Sequence, residues 1–307
     1  MTSIMTNQSA KTALQSLTNT NKNLSQTQTR ISTGYRVSSA EDNAAYWSIA
    51  TTMKSDRGAL STVKDALGLG AATIDVAYTG MNSAIDVTKE IKNKLIAARQ
   101  PGIDRGKVQS EISELQNQLK SIAESSVFSS ENWLSVDSGA TGYNGTKTMI
   151  ASFSRSGGSV SVGTISIDID SVKLYDADDQ SGILDSVDTT TNGNVDYSVS
   201  DLDISSISDT SNDLADLEQM IGYVDGAIGS MTTAASNLGA IKQRTKTQSD
   251  FVSALMTAID TGVGALVDAD MNEESTKLQA LQVQQQLGIQ ALSIANQNSQ
   301  MVLSLFR

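Results

Sequence analysis

A seven-residue repeat of apolar side chains limits most strongly what this chain can fold into. One row is Leu60, Leu67, Ile74, Met81, Thr88 and Leu95, and a second is Val63, Gly70, Ala77, Ala84, Ile91 and Ala98. Interleaved, the rows step by three and four residues without a break, which is typical of a helix packed along a left-handed supercoiled seam. Only Gly70 and Thr88 in these rows are not apolar. A helix from 43 to 99 would be roughly 85 Å long, which is unusual in a single-core globular domain.

Two further helices are predicted by the same kind of spacing. Pro101, the only proline in the sequence, stands with Gly102 at a turn that ends the first helix. The second helix carries Val108, Ile112, Leu115, Leu119 and Ile122, and we expect it to fold back antiparallel on the first. The last long helix has one row of Leu217, Val224, Met231, Leu238, Thr245, Val252, Ile259 and Leu266, and a second row of Leu214, Ile221, Ile228 and Ala235. The predicted fold is mainly α, a long antiparallel bundle with coiled-coil-like heptad packing.

The middle of the sequence, 137–213, has a different character. Its 13 acidic residues face only three basic ones, so it carries most of the net charge of -12. Alternating side chains between 146 and 170 predict strands, and Gly157-Gly158 and Asn192-Gly193 predict turns. We expect a small β-rich surface insert at the far end of the bundle. Its acidity argues against nucleic acid as a partner.

Both ends of the chain are poor in charge and in large apolar groups. Residues 1–40 contain no acidic residue, and 275–307 contain only Lys277 and Arg307 as charges. Within 3–33 the large apolar residues are Ile4, Met5, Leu14, Leu17, Leu24 and Ile31. Few apolar contacts are then available to offset the entropy of ordering such an arm alone. We expect both termini to be helical arms that become ordered only among neighbouring chains, where little charge must be desolvated.

The residue types exclude most catalytic and metal chemistry. Because the sequence has no His and no Cys, it can form no Ser-His or Cys-His pair, no disulfide and no His or Cys metal site. The acidic run from Asp176 to Gly182 fails the EF-hand calcium pattern, since Ser181 and Val187 stand where Gly and Glu are needed. We therefore predict no catalytic residue, no cofactor and no metal, and hence not an enzyme. Asn144-Gly145-Thr146 fits a glycosylation acceptor, but so short a match is common by chance.

Membrane and signal segments are not predicted either. No uninterrupted apolar run approaches the roughly 20 residues of a membrane helix. Residues 1–13 are polar and lack the apolar centre of a secretory signal peptide. A secreted form of this chain would therefore leave the cell by another route.

Four stretches of the sequence resemble one family closely. They are Arg30-Ile-Ser-Thr-Gly-Tyr-Arg-Val-Ser-Ser-Ala-Glu-Asp-Asn-Ala-Ala45, Ser236-Asn-Leu-Gly-Ala-Ile-Lys-Gln-Arg244, Asp268-Ala-Asp270 and Gln297-Asn-Ser-Gln-Met-Val-Leu-Ser-Leu-Phe-Arg307. Each resembles bacterial flagellin, in the family's order. The resemblance covers about 1–136 and 214–307, and the short middle segment resembles that of a subunit without a large outer domain.

The resemblance implies a filament subunit with layers. The arm 1–42 would pair with the arm 265–307 in the innermost layers around a narrow channel, 43–136 and 214–264 would be the two halves of the bundle, and 137–213 would face solvent. Flagellins polymerise with copies of themselves into the extracellular filament used for swimming. Other flagellins, junction and cap proteins, and the type III export apparatus or a chaperone are further implied partners; nucleic acid and membrane are not.

Three other interpretations fit part of the sequence. A hook–filament junction protein shares the terminal architecture, but the intact Ser236–Arg244 and Val302–Arg307 motifs favour the filament subunit. A flagellin with an inserted protease would need a His-Glu-x-x-His site, and the chain has no His. A cytoplasmic coiled-coil adaptor would explain the heptads but not the acid-free arms at both ends.

Overall fold

The computed structural model describes residues 7–304, with side chains for 7–297 and 301. Within that range it has five α helices: α1 Gln8–Thr33, α2 Ala44–Ala98, α3 Arg105–Ser125, α4 Ser211–Val267 and α5 Met271–Ser304. The strands are β1 Val127–Phe128, β2 Glu131–Asn132, β3 Ser135–Val136, β4 Thr146–Ser156, β5 Ser159–Asp168, β6 Tyr175–Asp176, β7 Asp188–Thr189 and β8 Asp196–Tyr197. The predicted class, mainly α with long helices and a β-rich insert, is confirmed.

The chain forms two compact units. The central unit is Ala59–Leu255, and the terminal unit joins Met1–Gly58 with Met256–Arg307. The β-rich insert belongs to the central unit, and α2 and α4 each contribute residues to both units.

The heptad seam predicted on α2 is confirmed in the central unit. Eleven of the twelve positions are buried, among them Leu67, Ile74 and Met81, and Gly70 is half-buried. Thr88 is tolerated in the seam because its hydroxyl donates a hydrogen bond of 2.8 Å to the Ala84 carbonyl one turn earlier. A polar side chain thus fills a core position without an unpaired donor.

On α4 both predicted rows are partly right. The first row is buried from Leu217 to Val252 but half-buried at Ile259 and Leu266. In the second row Leu214, Ile221 and Ile228 are half-buried, and Ala235 is buried. The fully covered companions are instead Met220, Ala227 and Ala234. The insert explains this shift, because its segment 186–193 bonds to the side of α4 that carries Asp216, Gln219 and Tyr223.

Ion pairs between helices report an antiparallel arrangement inside the central unit. Lys92 contacts Asp225 at 2.7 Å and Arg99 contacts Glu218 at 2.9 Å, so a step forward along α2 is matched by an equal step back along α4. On the other side, Lys94 of α2 contacts Glu111 of α3 at 2.5 Å, and α3 runs back along α2 as predicted. Exposed pairs of this kind contribute little stability, so the buried seam must hold the bundle.

The insert contains the predicted hairpin. Strands β4 and β5 pair antiparallel from Thr146 opposite Asp168 to Ser156 opposite Ser159. The turn is made by Gly157 and Gly158 with φ of 58° and 86°, a conformation that glycine adopts without strain. The turn predicted at Asn192-Gly193 is also present.

The predicted position of the insert at the far end of the bundle is wrong, because the insert lies along the helices. The amide of Gln116 on α3 donates to the carbonyls of Val199 and Leu202 at 3.1 Å each. The insert also buries a large apolar set that a solvent-facing segment could not cover alone: Ile165, Ile167, Ile169, Val172, Leu174, Leu184, Tyr197, Val199, Leu202 and Ile204. It therefore forms part of the core of the central unit.

Candidate assembly surface

Helices α1 and α5 pair antiparallel through stripes of small and polar residues in the terminal unit. On α1 the covered stripe is Ala10, Ala13, Leu17, Thr20, Leu24, Thr27 and Ile31, and on α5 it is Glu274, Leu278, Leu281, Gln285, Gly288, Leu292 and Ala295. Both step by three and four residues. Counting large apolar residues missed this repeat, because Ala, Thr, Gln and Gly occupy many of its positions.

Polar contacts fix the register of the two helices. Arg30 of α1 contacts Glu274 of α5 at 2.9 Å, and Gln285 donates to Asn21 at 2.8 Å. Glu274 is only 5% exposed. Burial opposes its charge, but hydrogen bonds from Arg30 and Thr27 outweigh that effect and hold the pKa of Glu274 below its usual value of 4.5. The buried carboxylate is therefore paired, as a buried charge must be.

The motif that begins at Arg30 includes the connection between α1 and α2, whose conformation is fixed by hydrogen bonds. We call this connection, residues 34–43, the bonded corner. Gly34 ends α1 with φ of 77°, and its N–H donates to the Arg30 carbonyl at 2.8 Å. The N–H groups of Arg36 and Val37 then donate to the Val267 carbonyl at 2.7 and 3.2 Å. The chain before α2 is thus bound to the last residue of α4.

The rest of that motif starts α2. The Asp42 carboxylate accepts hydrogen bonds from the backbone and hydroxyl groups of Ser38 and Ser39, and these, led by the Ser38 N–H, lower its pKa. Asn43 accepts the Tyr46 N–H at 3.1 Å, as an N-cap does. Beneath the corner, a small core joins Val37, Ala50, Val263 and Val267. The motif residues are therefore structural.

A second apolar stripe on α5 is uncovered. Val283, Leu287 and Ile294 are between 56% and 59% exposed. At about 100° per residue they lie roughly opposite the stripe that contacts α1. The described part of α5 has no charged residue after Lys277. An exposed apolar row without charge is typical of a surface that another protein covers.

More apolar groups are exposed elsewhere in the terminal unit. Leu14 on α1 is 53% exposed, and the first turns of α2 present Tyr46, Trp47 and Ile49 at 41%, 39% and 49%.

Of the helices in the range 7–304, α4 alone is apolar enough, by length and composition, to span a membrane. Its 18-residue window has a mean hydropathy of 1.4, and only 17% of it is buried. The sequence of α4 contains no long uninterrupted apolar run, because Thr, Ser and Gly stand between its apolar residues, and only the average hydropathy reveals the stretch.

The acidic run 176–182 forms an internal network. Asp176, 1% exposed, accepts hydrogen bonds from Lys173 at 2.7 Å and from the N–H and hydroxyl of Ser138 at 3.0 and 2.9 Å. Burial opposes its charge, but these bonds outweigh it and hold the pKa of Asp176 far below the usual value. Within the described residues no group of three or more His, Cys, Asp or Glu is arranged to hold a metal. This carboxylate stabilises the insert.

Several residues used in the sequence predictions lie outside the described part of the chain, and one lies at an exposed position of the insert. Ile4, Met5 and Phe306 lie outside the described residues, and so do the side chains of the Val302–Arg307 motif. Asn144 is exposed, and its side chain accepts the Thr146 N–H at 3.0 Å.

Comparisons with known proteins all point to one family, and the relatives align with the whole chain. The family model of the bacterial flagellin N-terminal helical region matches residues 4–138, and that of the C-terminal helical region matches 221–306. Flagellin C of Rhizobium meliloti (strain 1021) is 51% identical over 322 aligned residues, covering all of both chains. Flagellin of Brucella melitensis is 44% identical over 311, and Flagellin A of Rhizobium meliloti (strain 1021) is 43% identical over 397, again with full coverage of both chains.

Proposed function

The chain belongs to the bacterial flagellin family and is a structural subunit of the extracellular flagellar filament, and from this premise we propose which surface polymerises. The surface is the uncovered stripe of α5, formed by Val283, Leu287 and Ile294. The observation that carries the proposal is the exposure of this row beside a helix face that already packs on α1. We expect a second copy of the chain to pack against this stripe in the filament.

The energetics favour such a contact. Burying a large aliphatic side chain stabilises a complex by roughly 1.5–3 kcal/mol, and the stripe offers three such side chains. Charge desolvation, which opposes many protein contacts, is nearly absent here because Gln, Asn and Ser flank the stripe. The apolar, mostly uncovered window of α4 and the exposed Tyr46 and Trp47 would be covered by neighbouring copies in the same assembly.

Within the filament we assign layers to the segments. Residues 1–42 and 265–307 form the innermost layers, 43–136 and 214–264 the bundle layer, and 137–213 the outer surface. The junction-protein alternative is not favoured, because the compared relatives are flagellins over their full length. We propose no enzymatic role, and we assign junction, cap and export proteins as contacts during assembly only.

A pair of substitutions on α5 tests the assembly surface. Leu287→Asp places a charge in the exposed stripe, and Gln282→Asp places the same charge on an exposed position outside it. We expect Leu287→Asp to leave the melting curve of the monomer unchanged and to abolish seeded filament growth in negative-stain microscopy. Gln282→Asp should still polymerise. Normal filaments from Leu287→Asp would remove the stripe from the interface.

A further inference from the structure

Two positions that break the apolar heptads lie around one methionine of the insert. These are Gly70 on α2 and Thr245 on α4, and the methionine is Met149 of β4. A Cβ atom placed on Gly70 would lie 2.6 Å from Met149 Cε and 2.9 Å from its Sδ. The Thr245 hydroxyl, which is 0% exposed, donates to the same sulfur at 3.8 Å. The thioether of Met149 therefore packs against both positions, Gly70 and Thr245, at which the rows lack a large apolar side chain.

The Met149 side chain also borders an open groove. The groove has a volume of about 380 Å³ and is lined by Met149 together with Leu69, Thr73, Phe128 and Trp133, among others. Met149 is half-buried, whereas the other methionines of the central unit, Met81, Met220 and Met231, are at most 1% exposed. Small solutes can reach Met149 through this groove, and a chain without Cys offers no other kind of sulfur.

We propose that Met149 is a site of oxidation by hydroperoxides, and that its oxidation releases the β4–β5 hairpin from the helices. The sulfur lone pair attacks the terminal oxygen of the peroxide, the S–O bond forms as the O–O bond breaks, and the departing oxygen leaves as water or an alcohol after taking up the proton. Sulfur is oxidised by two electrons and the peroxide is reduced by two. The product is methionine sulfoxide.

The surroundings of Met149 make the sulfoxide costly. A peroxide that enters through the groove adds its oxygen on the groove side, which turns an apolar side chain into a polar one within a packed contact. The side chain cannot shift toward Gly70 to relieve this, because there is no spare volume on that side. The sulfoxide also needs hydrogen-bond donors, and among the described residues the one donor shown at this sulfur is the Thr245 hydroxyl. Within residues 7–304, β4 and β5 form a sheet of two strands, and such an isolated hairpin depends on its contacts with the helices. This inference concerns the central unit alone and goes beyond the assembly surface on α5.

The experiment uses the full-length monomer treated with dilute hydrogen peroxide. Peptide mass mapping follows oxygen addition at each methionine, trypsin cleavage after Arg155 reports the hairpin, and the thermal midpoint reports the fold. We expect oxidation of Met149 to speed cleavage after Arg155 about tenfold and to lower the midpoint by about 5 °C. Met149→Leu, similar in volume and not oxidisable, should lose both responses, whereas Met271→Leu, at an exposed methionine, should keep them.

Gly70→Ala provides an independent test that needs no peroxide for its first measurement. Its new methyl group should displace Met149, so untreated variant protein should already show faster cleavage after Arg155, and its Met149 should oxidise faster. The proposal is overturned if Met149 stays unoxidised when Met271 is fully oxidised. It is equally overturned if Met149→Leu loses as much stability in peroxide as the unmodified sequence, or if Gly70→Ala leaves the cleavage rate unchanged.

Discussion

A charge placed in the seam of α2 should unfold the central unit far more readily than the same charge on the helix surface. Ile74 is 0% exposed in the seam, and Ile96 on the same helix is 48% exposed. Both variants replace an isoleucine of the same helix by Asp, so they differ only in how deeply the replaced side chain is buried. Any difference between the two variants therefore measures the seam itself.

The magnitude follows from two costs at Ile74. Truncating a buried isoleucine costs about 2–5 kcal/mol, and burying a polar carboxyl without a partner adds about 1–3 kcal/mol. We expect a loss of about 5 kcal/mol in the free energy of unfolding, which lowers the melting temperature of a unit of this size by about 10–20 °C. Ile96→Asp should cost less than about 1 kcal/mol.

Circular dichroism melts of both monomeric variants, at pH 7 and in mild acid, are the assay. Burial raises the pKa of the introduced carboxyl above its unfolded value, so the destabilisation at Ile74 should be largest at pH 7 and shrink in acid, where the group is neutral in both states. Equal melting temperatures for the two variants, or a loss at Ile74 that does not depend on pH, would refute the buried seam.

Three further outcomes are expected. A short Gly/Ser insertion after Gly157, at the exposed hairpin turn, should leave polymerisation intact, whereas the same insertion after Asn192 should lower the melting temperature, because that turn is bonded to α4. Glu274→Gln should make the melting temperature of the terminal unit depend less on pH in acid. A carboxylate with a lowered pKa stabilises the folded state at pH values above its unfolded pKa of 4.5, and this stabilisation is lost as the pH falls. Gly80→Ala should cost about 1–3 kcal/mol in denaturant titrations, because its Cβ would lie 2.7 Å from Leu134 Cδ1, and a fully stable variant would contradict the tight packing.

The helices could be predicted from the sequence because their heptads carry a strong periodic signal. The insert could not be placed, since its buried residues between 165 and 204 lie in short strands and irregular segments that have no period long enough to show which helix face covers them. The turn at Ser129-Ser130 was not predicted either, because both serines adopt a positive φ that glycine or asparagine usually takes.

The assembly surface was predicted only in outline. The sequence shows that α5 carries no charge after Lys277, but not which of its residues face α1. Thr20 and Thr27 look like surface residues in the sequence, yet Thr27 is 1% exposed in the α1–α5 contact. Once that contact is assigned to one stripe of α5, the row through Leu287 is left uncovered, and this separation of faces requires the pairing itself.

The bonded corner before α2 also has a consequence for the order of folding. Its Arg36 guanidinium donates to the Leu266 carbonyl across a separation of 230 residues, and the Arg36 and Val37 N–H groups bind the Val267 carbonyl. A contact of such long range closes a loop of 230 of the 307 residues, so we expect it to form late. A growing or emerging chain has no partner for this corner until residue 267 arrives, although all of the central unit is already present. A subunit truncated between residues 255 and 267 would therefore contain the whole central unit but lack the hydrogen bonds that close the terminal unit.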